Sequence, residues 1–165
     1  MKKVLPVILL VFLHVNMNLF AQDNSNEEAS HSFMAVGLGV EWNMDSRDNF
    51  AGGGVFNIDF NLPSVPLALG ITAAFSSNFY DNFVIETSAL FRWYFLGKNH
   101  SGLFAQADAG AVFIFESEEM TPLFMGGLRG GFRLPLGDMF FIEPYGRVGY
   151  PFMFGVGVLA GIMFS

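Results

Sequence analysis

The chain of 165 residues is long enough for one domain with a real core, and its formal charge of −7 argues against nucleic acid, which requires basic patches. Phenylalanine (21) and glycine (19) are over-used while only 14% of residues are charged, the opposite of a disordered chain's composition. Cysteine is absent, which removes disulfides, thiolate metal sites and lipid-bearing cysteines.

At the N-terminus Lys2 and Lys3 precede an apolar run over residues 4–13, and Ala21 closes a plausible cleavage site. Residues 1–21 therefore predict an export signal. The run is too short to cross a bilayer, and no later stretch reaches the ~18 uninterrupted apolar residues of a spanning helix. Residues 22–32 are polar and acidic and predict a flexible lead-in; Gln22 is the expected first mature residue. Losing Lys2 and Lys3 leaves 6 basic residues against 15 acidic ones.

Eight strand-length segments follow, separated by turn chemistry: 33–42, 50–61, 67–76, 83–95, 103–115, 123–134, 139–150 and 153–164. They fill residues 33–165 and leave no room for a second domain. The first is weakly patterned, with Gly37 and Gly39, as is the Gly52-Gly53-Gly54 run. The second sets Phe56, Ile58 and Phe60 against Asn57, Asp59 and Asn61. The fourth sets Phe83, Ile85, Phe91 and Trp93 against Glu86, Ser88 and Arg92, and the fifth sets an alanine series (Ala105 to Ala111) against Gln106, Asp108 and Gly110. In the sixth, Phe124, Leu128 and Phe132 oppose Arg129 and Arg133. The seventh sets Phe140, Ile142 and Val148 against Glu143, Tyr145 and Arg147; Pro144 inside it cannot donate to a ladder and predicts a bulge. In the last, Phe154, Val156, Val158, Ala160, Ile162 and Phe164 share one face while the other is mostly small. Neither face of that segment is polar, unlike a strand of a soluble sandwich.

Period-two alternation with charges confined to one parity decides the sidedness. A soluble barrel turns its apolar face inward and scatters charge outside. Here four of the six remaining basic residues (Arg92, Arg129, Arg133, Arg147) sit mid-strand on the polar parity. Facing lipid, each arginine costs about 2–4 kcal/mol at the bilayer midplane, whereas in the lumen each finds carboxylates. The expected fold is all-β: an eight-stranded antiparallel up-and-down transmembrane barrel, its even strand count matching single-chain outer-membrane proteins. With the N-terminus on the periplasmic side, the outer connections are 43–49, 77–82, 116–122 and the tight Pro151-Phe152 turn. They are short and acidic.

From residue 33 to the end, the chain resembles the small eight-stranded outer-membrane barrels of the OmpA/OmpX type and the related OmpW-like proteins, a resemblance of architecture rather than of a diagnostic motif. Members usually end on an aromatic residue read by the barrel-assembly machinery. Here Phe164 is penultimate, and Leu159 stands where glycine is common. The stretch from Glu143 to Phe152 looks like the penultimate strand of small spirochaete-type barrels. The resemblance implies outer-membrane lipid and the assembly machinery as partners, a monomer, and a surface or host ligand of unknown identity.

Two groups of site residues follow. Glu86, Arg92, Gln106, Asp108, Arg129, Arg133, Glu143, Tyr145 and Arg147 are expected as a lumenal polar network, because eight strands leave an interior that side chains can fill. Trp42, Phe79, Tyr80, Trp93, Tyr94, Phe141 and Tyr150 lie near strand ends and are expected as interfacial girdles. The lumen is then either plugged by salt bridges or, as the OmpW-like resemblance implies, a narrow conduit for small hydrophobic molecules. Gly37, Gly39, Gly70, Gly127 and Gly131 either leave room inside or let the barrel close. A soluble periplasmic ligand-binding barrel is the third alternative. No catalytic function is expected: His14 is lost with the signal, His31 lies in the lead-in, and His100 falls in a periplasmic turn. No cofactor or metal is expected either, since Asp45, Asp48, Asp81, Glu116, Glu118 and Glu119 match no calcium-loop spacing and read as a solvated rim.

Overall fold

The computed structural model describes residues 32–44, 50–77, 82–96, 100–116 and 119–165. The expected signal and nearly all of the lead-in lie outside these, as do Phe79, Tyr80, Asp45, Asp48, Asp81 and Glu118. Eight strands run in chain order: β1 (Met34–Met44), β2 (Phe50–Asn61), β3 (Leu67–Ser77), β4 (Asn82–Leu96), β5 (Gly102–Glu116), β6 (Glu119–Leu136), β7 (Phe140–Tyr150) and β8 (Phe154–Phe164). Each pairs antiparallel with its sequence neighbour, and β8 pairs back onto β1 to close a barrel.

The register fixes the barrel's geometry. Stepping across paired residues from Met34 through Phe60, Leu69, Phe91, Ala107, Leu128, Val148 and Phe154 returns to β1 at Met44, ten residues further along. With that stagger, the spacings of strands and residues set a tilt of about 40°, inside the range of transmembrane barrels. The weakly patterned β1 nonetheless pairs without a break along its length on both sides.

Several boundaries differ from those expected. Strand β6 begins at Glu119 rather than at 123, because β5 and β6 stay paired up to Glu116 opposite Glu119. Most of the expected 116–122 connection is therefore paired strand. Pro122 lies inside the ladder, opposite Phe113. Pro144 makes no bulge: it pairs with Val158, and the β6–β7 register is the same on both sides of it. The register shift falls instead in β4, between Tyr94 and Leu96.

Along most of their length the strands alternate side chains across the wall. Leu38, Trp42, Ile71, Phe91, Leu128, Val148 and Val156 project outward and are exposed, and Phe124 is 73% exposed. Phe132 is an exception, on the outward parity but buried, with Leu103 as its cross-strand partner. The interior is layered between the rim that carries the chain ends (the terminal rim) and the opposite, far rim. Ala35, Phe141 and Met163 form an apolar cluster towards the terminal rim. Ala51, Val84, Val112, Met125 and Phe152 form another towards the far rim. Charged residues share the space between with a third buried cluster that includes Val55, Tyr94, Phe104, Tyr145 and Leu159.

Candidate functional site

Inward parity brings a network of side chains together in the lumen: Glu41 (β1), Asp59 (β2), Glu86 and Arg92 (β4), Gln106 and Asp108 (β5), Arg129 and Arg133 (β6), and Glu143, Tyr145 and Arg147 (β7). All are buried. They sort into two tiers.

The tier nearer the terminal rim is a neutral ring of two arginines and two carboxylates. Arg92 donates from Nη1 to Asp59 Oδ2 at 2.9 Å and from Nη2 to Glu143 Oε1 at 2.9 Å. Arg133 donates from Nη2 to Asp59 Oδ2 at 2.8 Å and from Nε to Glu143 Oε2 at 2.8 Å. Each carboxylate thus bridges both arginines. The guanidinium of Arg92 stacks 4.3 Å from the Phe104 ring, and that of Arg133 lies 4.3 Å from the Phe141 ring. Aromatic faces contribute further to holding a desolvated cation. Gln106 Oε1 accepts from Arg92 Nη2 at 2.6 Å, and its amide donates to Asp108 Oδ1 at 2.7 Å, linking this ring to the tier above.

The second tier is organised on Glu41. Its carboxylate accepts from Arg147 Nη1 at 2.9 Å, from the Tyr145 hydroxyl at 2.7 Å and from Asn43 Nδ2 at 2.8 Å. Arg147 also donates from Nη1 to Glu86 Oε2 at 2.7 Å. Arg129 is held more loosely, with its nitrogens 3.8 Å from Glu41 and 3.9 Å from Asp108 and its guanidinium 4.4 Å from the Tyr145 ring. Among the described residues its Nε and Nη1 have no hydrogen-bond partner.

The glycines that were to leave room or to let the barrel close lie against filled volume. A Cβ on Gly37 would meet Phe141 Cζ at 3.2 Å, and one on Gly131 would meet Phe104 Cζ at 2.7 Å. Omitting those side chains admits the rings that stack on the arginines.

Two residues expected in the girdles face the other way. Tyr94 and Phe141 are each 1% exposed and lie inside, Tyr94 accepting from Arg92 Nη1 at 3.2 Å and Phe141 beneath Arg133. The reason is parity: each stands two residues from an inward charge (Arg92, Glu143), so a strand places it on the same face. Trp42, Trp93 and Tyr150 do face outward, Trp42 and Tyr150 near the far rim and Trp93 near the terminal rim, where it stacks 5.3 Å from Phe95. Glu41 and Asp59 join the network without being among the residues expected there, although both lie on inward parity and Asp59 stands on the polar face of its strand. Their signal is the alternation of Gly37, Gly39, Glu41 and Asn43, and of Asn57, Asp59 and Asn61.

At the terminal rim His100, between β4 and β5, adopts a positive φ of 56°. Its Nε2 lies 3.0 Å from the Val65 carbonyl oxygen, and its ring meets Tyr94 edge-on at 5.6 Å. Burial pushes its pKa below the ordinary histidine value.

Geometry and site together define a small, closed, eight-stranded barrel, apolar outside and ionic within. No family model matches the sequence, and no curated protein does. Among solved structures the chain is similar to neisserial surface protein A (NspA), at 11% identity and a TM-score of 0.57 over 84% of this chain and 99% of that one. It is also similar to the N-terminal β-barrel domain of Pseudomonas aeruginosa OprF, at 14% identity and a TM-score of 0.51 over 79% of this chain and 97% of that one. At these identities the likeness is one of fold: the chain shares the architecture of small eight-stranded outer-membrane barrels.

Proposed function

We propose that the protein is a monomeric barrel of the bacterial outer membrane, with a structural or surface-interacting role and a lumen plugged by its ion-pair network. The observation that carries this reading is the sidedness. Large apolar side chains cover the outside, while Arg92 and Arg133 are buried within, each paired to two carboxylates. Water is a poor solvent for that outer surface and lipid a good one, and the hydrocarbon core in turn demands a closed sheet without free edges. The two barrels of like fold support the location. An N-terminal export signal and the barrel-assembly machinery complete the route.

A conduit for hydrophobic molecules has less support, because charged groups cross-link the middle of the lumen. The proposal assigns no catalysis; acyl transfer on purified lipopolysaccharide tests that directly. Membrane fractionation with heat-modifiable gel mobility tests the location: the protein partitions with outer membranes and migrates faster unboiled. Planar-bilayer recordings test the plug, where the absence of conductance steps is expected and steady steps at neutral pH overturn it.

A further inference from the structure

We propose that Phe152 is a movable lid that controls access from the far rim to the ion-pair tier beneath it. The proposal rests on the closed-lumen reading above. Phe152 packs with Ala51, Val84, Val112 and Met125. Those four side chains come from β2, β4, β5 and β6, and β2 and β6 stand on opposite sides of the ring of strands, so the cluster crosses the lumen. It lies next to the upper tier: Val84 is the inward neighbour of Glu86 on β4, and Met125 precedes Arg129 by two inward positions on β6.

Phe152 differs from the other members in how it is held. The four sit in paired strands, where the ladder hydrogen bonds hold their backbone in place. Phe152 sits in the turn between Tyr150 and Phe154, outside the ladder. Torsions in the turn can withdraw its ring while the barrel stays closed. Burial of a phenyl ring favours the seated state and leaves the withdrawn one as a minor population. What the lid admits would meet Arg129, whose Nε and Nη1 have no hydrogen-bond partner among the described residues.

The test uses the absence of native cysteine. Ser88, buried and inward on β4 beyond Glu86, is replaced by cysteine in the full chain folded in detergent micelles, and its modification by a methanethiosulfonate reagent is timed. Heat-modifiable mobility confirms that every variant is folded. With Phe152 in place labelling is slow. Phe152→Ala accelerates it about tenfold or more, because local opening no longer has to precede access. Phe152→Leu, which refills the layer, stays close to the slow rate, and Met163→Ala, which loosens the opposite rim, does so too. Equal rates for Phe152→Ala and the parent overturn the lid and leave the plug standing. Acceleration of the same size by Met163→Ala also overturns it. Fast labelling with Phe152 in place overturns the lid and the closed lumen together.

Discussion

Glu143 receives two arginines at once: Arg92 reaches its Oε1 at 2.9 Å and Arg133 its Oε2 at 2.8 Å, from strands that are not neighbours of each other. Because β4, β6 and β7 are tied through this one carboxylate, its loss leaves two buried cations sharing Asp59 alone.

Glu143→Gln is therefore expected to cost about 3–5 kcal/mol, the penalty of leaving a buried charge without its partner. Urea unfolding of the barrel in micelles measures it. Replacing Glu143 and Arg133 together by Leu and Met restores much of the loss, since a neutral pair leaves with both partners. A double variant no more stable than Glu143→Gln would contradict the ring.

Tyr145 depends on a glycine opposite it. A Cβ at Gly157 would overlap the Tyr145 hydroxyl, which holds Glu41 at 2.7 Å. Gly157→Ala should cost about 1–3 kcal/mol by overpacking. Adding Tyr145→Phe, which removes the overlapping oxygen, recovers part of it, and a double-mutant cycle reads the coupling. Strict additivity would show that the two do not meet.

His100 gives the terminal rim a dependence on pH. Its folded pKa lies below the ordinary 6.5, so the unfolded chain takes up the proton first. The stability it contributes is fully present above that value and is lost as pH falls through the window below it. In urea titrations the wild type loses more stability between neutral and mildly acid pH than His100→Gln does. Parallel pH profiles of the two would rule this out.

Outside, Leu128 is exposed near the middle of β6. Leu128→Arg in lipid vesicles is expected to cost about 2–4 kcal/mol, the price of a guanidinium near the bilayer midplane. A neutral effect would mean that this face meets water.

The parity of each strand is legible in the sequence, because a period of two with arginines on a single face fits a strand and neither a helix nor a loop. Where the expectation and the structure part, residue type has overruled parity. Tyr94 and Phe141 look like girdle residues for being aromatic and close to strand ends, although each shares a face with a charge two residues away. The β5–β6 hairpin is hidden by Thr121 and Pro122, which look like loop chemistry yet lie opposite Ile114 and Phe113. The pairing of Asp59 with Arg133 joins β2 to β6 across the lumen, and only closure of the sheet brings them together. Phe152 looks like a plain turn residue, since nothing local records that the turn folds its ring inward.

The protein carries two tryptophans, Trp42 and Trp93, and both project outward, one near each rim. Their fluorescence in vesicles of brominated lipid reads the sidedness without any substitution. Strong quenching of both by brominated acyl chains, with little by aqueous iodide, is the predicted result. Quenching by iodide and none by the lipid would place the apolar face in water and contradict the membrane barrel.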